Sequence, residues 1–175
     1  MKKLVLTMLA VSGFVSMNAM ADTATGNLLI KATVVKSCYV NTSSTGTVTS
    51  AVIDFGNITS LASNVDANTS GSGGAQIGVL CSNGTTWTLT AGAGNNVSST
   101  QRRMITGSGS TADYLPYNLF SDSTRATAIA VGGQVATGTG TGSQVNFDVY
   151  GRIPAGTALP TAGSYTDTVA LTITY

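Results

Sequence analysis

The C-terminal stretch Tyr165-Thr-Asp-Thr-Val-Ala-Leu-Thr-Ile-Thr-Tyr175 alternates between apolar and polar residues, and it is the strongest local signal in the chain. Its apolar face is formed by Tyr165, Val169, Leu171, Ile173 and Tyr175, whereas threonines dominate the other face. Only Asp167 interrupts the apolar face. Successive side chains of a β-strand point to opposite sides of the sheet, so this pattern predicts a half-buried antiparallel strand.

Further alternating segments precede this strand, and helical periodicity is hard to find after residue 21. We predict strands over residues 28–40, 51–55, 75–82, 85–91, 102–106, 113–120, 127–131 and 144–153. Stretches rich in Gly, Ser, Asn and Thr separate them, and we interpret one of these, Gly138-Thr-Gly-Thr-Gly142, as a hairpin loop. Pro116 predicts an edge position or a bulge within its strand. Many short strands separated by turns predict an all-β sandwich or barrel.

The first residues have the layout of a secretory signal. Met1-Lys-Lys3 is positively charged, Leu4–Val15 is mostly apolar, and Ala19-Met-Ala21 supplies small residues before a cleavage point. A membrane anchor is the alternative, but the apolar run is shorter than the roughly 20 residues that a spanning helix needs. We therefore expect cleavage after Ala21, export, and no membrane segment in the mature chain.

Cys38 and Cys81 are the two cysteines of the chain. In an oxidising compartment a single pair allows one disulfide, which would close a loop of about 44 residues and stabilise the fold by about 4 kcal/mol. Two free thiols, a redox pair and half of a metal site are the alternatives. A redox pair normally has C-x-x-C spacing, and zinc would require more ligands than a chain without histidine offers. We predict a structural Cys38–Cys81 disulfide.

Charge and residue types argue against several functions. The chain has eight Lys and Arg residues against seven acidic ones, with no basic cluster beyond Arg102-Arg103, so nothing indicates nucleic-acid binding. It lacks His and Glu, and therefore lacks a Ser-His or Cys-His dyad. Asp54, Asp113 and Asp148 are expected at turns and strand ends rather than as paired catalytic carboxylates. We expect neither enzyme activity nor a cofactor.

Three segments carry a family resemblance. They are Leu115-Pro-Tyr-Asn-Leu-Phe-Ser-Asp122, Val145-Asn-Phe-Asp-Val-Tyr-Gly-Arg-Ile-Pro154 and Gly163-Ser-Tyr-Thr-Asp-Thr-Val169, and the early Cys38 fits with them. With these residues the chain resembles the spore coat protein U domain family, and within it the major subunits of Csu-type archaic chaperone–usher pili. The resemblance covers essentially all of the chain after the signal.

The resemblance implies a structural subunit of a bacterial surface pilus, or fimbrium, that supports adhesion and biofilm formation. Such a subunit is an incomplete immunoglobulin-like β-sandwich that lacks its final strand. A periplasmic chaperone lends a strand, and at the outer-membrane usher this strand is exchanged for the N-terminal extension of an identical or related subunit. A head-to-tail contact of this kind does not close, so it generates a fibre.

The start of the mature chain offers a candidate donor strand. The resemblance divides the chain into a signal (1–21), a donor-strand extension (22–33) and a pilin domain (34–175). The donor face would carry the small and apolar residues Ala24, Gly26, Leu28, Ile30 and Ala32, with only Leu29 out of pattern on the other face. An ordinary first strand with a frayed tail is the alternative, and the boundary between donor and first strand falls between Ile30 and Val34.

The acceptor groove is expected between the first strand, which runs toward Cys38, and the final strand. The apolar face of the final strand would form one wall and contact the chaperone. The residues expected there are Val169, Leu171, Ile173 and Tyr175. By resemblance to other chaperone–subunit complexes, the Tyr175 carboxylate is expected to bind a basic pair on the chaperone.

A secreted or tip-located carbohydrate-binding sandwich, a lectin or adhesin, is the alternative function. Trp87, Tyr114 and Tyr117 are the aromatic residues that would stack on a sugar. However, a single tryptophan in a Thr-x-Thr strand is more often part of the core. A tip adhesin would also be expected to carry an additional receptor-binding domain.

Overall fold

A computed structural model describes residues 22–42, 51–71 and 75–175 of the chain. Its strands are β1 Cys38–Asn41, β2 Val65–Asn68, β3 Ile77–Cys81, β4 Thr86–Ala91, β5 Arg102–Thr106, β6 Asp113–Phe120, β7 Gln134–Thr139, β8 Gln144–Phe147, β9 Tyr150–Ile153 and β10 Leu171–Thr174. One turn of 3-10 helix covers Gly109–Thr111. In the described part of the chain, no helix is long and apolar enough to cross a membrane.

The described strands form three sheets in which all pairs are antiparallel. Sheet I has the order β1-β3-β8, sheet II the order β10-β4-β7, and sheet III the order β2-β9-β6-β5. All three contribute to one hydrophobic core, with Val79, Leu89 and Ile153 among its fully buried side chains. Antiparallel sheets that share one core between their inner faces are the arrangement of an immunoglobulin-like sandwich. The predicted all-β class is confirmed.

A long antiparallel ribbon passes from sheet I to sheet II. One of its sides is β3 followed by β4, and the other is β7 followed by β8. At the bend between the two sheets, the N–H of Gly140 donates to the carbonyl of Thr85 at 2.8 Å. A Cβ at Gly140 would lie only 2.7 Å from the Cβ of Cys81, so glycine is required there. The interpretation of residues 138–142 as a hairpin loop is therefore wrong, because they lie within the ribbon.

The strand predictions were accurate where one segment stays in one sheet. β5 and β6 have the predicted bounds. Pro116 pairs with Arg103 of β5, while the pairing of β6 with β9 begins only at Asn118, so Pro116 has a local edge position as predicted. In contrast, residues 144–153 form two strands because the chain leaves sheet I at β8 and joins sheet III at β9.

Residues 22–33 form the described part of a first compact unit, Met1–Thr33, and the strands belong to a second unit, Val34–Tyr175. Residues 22–33 are exposed and have no regular secondary structure. The strand predicted over residues 28–40 is therefore wrong for its first part, because β1 begins at Cys38. The predicted signal, residues 1–21, lies outside the described residues.

Candidate functional site

The final segment of the chain, residues 165–174, has the predicted alternation of burial. Its half-buried residues are Tyr165, Asp167, Val169, Leu171 and Ile173, and the residues between them are exposed. Thr166 exchanges backbone hydrogen bonds of 2.9 and 3.0 Å with Ile105 at the edge of sheet III. β10 pairs instead with β4 of sheet II. The final segment therefore crosses from one sheet to another, and residues 167–170 span the crossing.

A second segment, residues 51–58, belongs to none of the described sheets. Its burial alternates, with Ala51, Ile53 and Phe55 half-buried. Ile53 and Phe55 pack over Gly151 of β9, where a Cβ would come within 3.0 Å of both side chains. No backbone hydrogen bond joins Ile53 or Phe55 to another described residue. The segment thus covers part of sheet III with its side chains.

An open cavity of about 430 Å³ lies between these two segments. Its walls include Ile53 and Phe55 on one side and Val169 and Leu171 on the other. Its floor is made of core residues from all three sheets, including Ile77, Ala91, Leu119 and Val149. A second cavity of about 620 Å³ shares Ile53, Phe55, Met104 and Tyr165 with the first and extends to Leu159 and Pro160. We refer to the two cavities together as the groove.

The predicted wall residues fall into two groups. Val169 and Leu171 line the groove, and Ile173 is half-buried against the core. Tyr175 is 59% exposed and lines neither cavity. The opposite wall was expected to be the first strand. β1 does lie beside β10, with Cα atoms within 8 Å, but residues 51–58 line the groove instead. The alternating pattern of residues 51–55 was the sequence signal for this wall.

The predicted disulfide between Cys38 and Cys81 is confirmed. The two cysteines lie directly opposite each other in the β1–β3 pair. β1 has no other partner among the described strands, so it lies at an edge of sheet I as the structure describes it. The disulfide therefore fixes a four-residue edge strand to the sandwich.

The predicted donor residues lie in the exposed segment 22–33. Leu28 is 85% exposed and Ile30 is 82% exposed, although both are large and apolar. Exposed large aliphatic residues that lie close together in sequence are characteristic of surfaces that bind another protein. Their assignment as donor residues stays a prediction.

The aromatic residues do not form the predicted sugar site. Trp87 is only 6% exposed and belongs to the core. Tyr114 is partly exposed, but the guanidinium of Arg103 lies 4.0 Å from the centre of its ring. Tyr117 is buried, and its hydroxyl donates to Asp167 at 2.7 Å. Burial, together with this hydrogen bond, raises the pKa of the Tyr117 phenol well above its usual range, so the phenol stays protonated.

Comparisons with known proteins agree with these observations. The fold and the groove define an all-β, immunoglobulin-like sandwich that is open along one side. Residues 24–172 match the model of the Spore Coat Protein U domain, and the chain belongs to this family. No curated protein matches the chain.

One similar solved structure is the CsuC–CsuE chaperone–tip adhesion subunit pre-assembly complex from archaic chaperone–usher Csu pili of Acinetobacter baumannii. The two chains are 21% identical with a TM-score of 0.49. The match covers 82% of this chain and 40% of the other, so this chain spans less than half the length of that one.

Proposed function

We propose that this protein is a structural subunit of a surface pilus and that it polymerises by strand donation. The groove between residues 51–58 and 165–171 supports this proposal most directly. It is open, its smaller cavity, which Val169 and Leu171 line, is mainly apolar, and residues 51–58 and 165–171 flank it. An additional β-strand fills such a groove with alternate side chains and pairs with its walls through main-chain hydrogen bonds.

The occupant is residues 22–33 of a second copy. This segment presents Ala24, Gly26, Leu28, Ile30 and Ala32 on one face. Burying the Leu28 and Ile30 side chains would contribute about 1.5–3 kcal/mol each. Each copy has one donor and one groove, so the contact repeats head to tail without closing and builds a fibre.

The open groove also explains why the subunit would need a chaperone. Unpaired edges and exposed apolar surface favour aggregation before assembly. We propose that a periplasmic chaperone occupies the groove, contacting Val169, Leu171, Ile173 and Tyr175, until an outer-membrane usher admits the next subunit. The domain bounds follow from this route: a signal at 1–21, a donor extension at 22–33 and a pilin domain at 34–175. The destination is a cell-surface fibre, with roles in adhesion and biofilm formation.

Substitutions on the two faces of residues 22–33 test the proposal. Replacing Leu28 and Ile30 together by aspartate places charges on the donated face, and we expect it to abolish fibres. Leu29→Asp is the matched control, because Leu29 lies on the opposite face of the same segment. Material sheared from the cell surface is run on a gel without boiling.

The unmodified chain and the Leu29→Asp variant should give a ladder of multimers that collapses to monomer on strong heating. The Leu28→Asp, Ile30→Asp variant should give no ladder. A ladder from that double variant would contradict strand donation by residues 22–33. A single monomer band from the unmodified chain would contradict polymerisation altogether.

A further inference from the structure

The groove wall formed by residues 167–170 lies between two sheets, and it is anchored at both ends of the crossing. Before the crossing, Thr166 pairs with Ile105 of sheet III. After it, Leu171 pairs with Ala91 of sheet II. Val169, in the middle, lines the groove. Interactions that hold residues 167 and 170 in place therefore also hold the wall between them in place.

Asp167 makes the first anchor. It interrupts the apolar face in the sequence, and the structure supplies the reason. One carboxylate oxygen accepts the hydrogen bond of the Tyr117 hydroxyl, and the other accepts from the Asn95 N–H at 2.9 Å and the Asn96 Nδ2 at 3.1 Å. Gly94, with a φ of +81°, leaves room for the carboxylate, because a Cβ there would clash with it. Asp167 thus ties the final segment to β6 and to the turn after β4.

Arg102 supports the second anchor. It is only 3% exposed, and its guanidinium donates to the carbonyl oxygens of four residues at 2.6–3.0 Å. These residues are Ala91, Gly92, Ile129 and Ala130. Among the described residues, no carboxylate lies within salt-bridge distance of it. A buried cation that makes no salt bridge and donates to backbone carbonyls is costly unless its donors are satisfied, so these hydrogen bonds hold the Arg102 side chain in one arrangement.

Gly92 links the Arg102 side chain to the groove wall through backbone hydrogen bonds. Its carbonyl accepts from Arg102, while its own N–H donates to the carbonyl of Ala170 at 2.8 Å. Ala170 and Asp167 flank the groove-lining Val169. Burial lowers the pKa of Arg102, whereas the charge of Asp167 acts in the opposite direction and favours the charged form.

We propose that Asp167 and Arg102 are positioning residues that hold the crossing segment in place and keep the groove open before a strand is donated. This inference rests on the proposed function. In the empty subunit, residues 167–170 depend on these anchors. Once a donated strand pairs with the wall, its main-chain hydrogen bonds hold the same residues. The anchors therefore matter for the rate of strand uptake more than for the stability of the finished fibre.

The test measures both quantities. The recipient is the full chain carrying Leu28→Asp and Ile30→Asp, which cannot donate, and the probe is a fluorescently labelled synthetic peptide of residues 22–33. Uptake is followed by fluorescence anisotropy in recipients that also carry Asp167→Ala or Tyr117→Phe. The matched control is Asp66→Ala. It also removes a hydrogen-bonded carboxylate, but Asp66 pairs with arginines and lies outside the groove.

We expect Asp167→Ala to slow peptide uptake at least about tenfold, because it removes hydrogen bonds to a charged group. Tyr117→Phe, which removes one of those bonds, should slow uptake by a smaller factor. It also serves as the test if Asp167→Ala is not recovered in folded form. Fibres are also built from otherwise unmodified chains that carry Asp167→Ala or Tyr117→Phe. Their dissociation rates should differ from that of Asp66→Ala fibres by no more than about twofold, which is the size of effect expected from a surface ion pair.

Two results would overturn the inference. One is uptake by both variants at the rate of the control. The other is a loss of fibre stability by the same factor as the loss of uptake rate, which indicates a general role in folding. A failure of the control recipient to take up any peptide would instead contradict the proposed function, so the two failures are distinguishable.

Discussion

Residues 22–33 and residues 165–174 have similar alternating sequences but different structures. In the final segment, the apolar face is half-buried against the core, and both ends pair with strands of the sandwich. In the N-terminal segment, every residue is exposed and none is in a strand. The two segments differ in whether other strands of the described chain pack against them and pair with them. An alternating sequence specifies which face a strand would bury, but it does not supply the surface that covers this face or the backbone that pairs with the strand.

The comparison shows that an alternating pattern favours a strand but does not by itself produce one. Main-chain groups that pair with nothing in their own chain remain available to another chain. Under the proposed function, the N-terminal segment is a strand whose partner is supplied by a second copy. The following predictions test this difference, from the largest expected effect to the smallest.

Removing the disulfide should destabilise the domain and make β1 more accessible. We expect the double variant Cys38→Ser, Cys81→Ser to lose about 4 kcal/mol of unfolding free energy, because the disulfide closes a loop of about 44 residues in the unfolded chain. β1 has only one described neighbour, so it should become as accessible as residues 22–33. Urea unfolding measures the first effect and limited proteolysis the second. Protection of β1 equal to that of the unmodified chain would show that its pairing with β3 suffices.

The same substitution should have different costs in the two segments. Leu171→Asp places a charge against the core, and we expect it to lower the unfolding free energy by about 3 kcal/mol. Leu28→Asp should change it by less than about 0.5 kcal/mol, because Leu28 is exposed. Thr172→Asp, on the exposed face of β10, is the control for the charge itself. Urea unfolding of each variant gives the values, and a large loss from Leu28→Asp would mean that residues 22–33 pack within their own subunit.

Hydrogen exchange should distinguish the segments without any substitution. In the subunit, the amides of residues 24–32 should exchange near the rate of an unstructured peptide, whereas those of β10 that pair with β4 should be protected. Assembly should slow alternate amides of residues 24–32 by about 100-fold or more while changing β10 far less. Mass spectrometry of subunit and fibre measures this. Equal exchange of residues 24–32 in both forms would contradict strand donation.

A small change in unfolding free energy is expected at Asp66, which forms ion pairs outside both segments. Asp66 contacts Arg152 at 2.7 Å and Arg125 at 3.3 Å. The hydrogen bond from Arg152 lowers the pKa of Asp66 below its ordinary value of 3.8. Its contribution to stability is therefore present above that value and is lost as the pH falls through the lowered pKa. Asp66→Asn should cost about 0.5–1 kcal/mol at pH 7 and less near pH 2, as measured by urea unfolding at both pH values.

The strand predictions were most accurate where a strand pairs with a neighbour that is close in sequence. β5 and β6 were predicted with correct bounds, because their pairing is mainly with each other and they are close in sequence. β2 and β7 were missed, since their residues Val65–Asn68 and Gln134–Thr139 contain few large apolar side chains and pair with distant strands. Residues 51–55 alternate as a strand does and bury the expected face, yet they pair with no described strand. Residues 127–131 form only a bridge at Ala128.

One wall of the groove contains residues that the alternating pattern of the sequence identified. The residues Val169 and Leu171 were identified from their parity, which is a local property. The opposite wall was assigned to the first strand, whereas residues 51–58 line the groove, because packing over Gly151 is a contact between distant parts of the chain. The role of Asp167 was missed, although its position on an otherwise apolar face was the available signal.

The sequence by itself determined the all-β class, the pairing of Cys38 with Cys81 and the buried face of the final segment. These follow from local alternation and from residue counts, which need no knowledge of neighbours in space. The tertiary structure alone decided which strands share a sheet, where the chain crosses between sheets, and which of the described segments lie outside the sheets. Those properties depend on contacts between residues far apart in the chain, and such contacts leave no periodic pattern in the sequence.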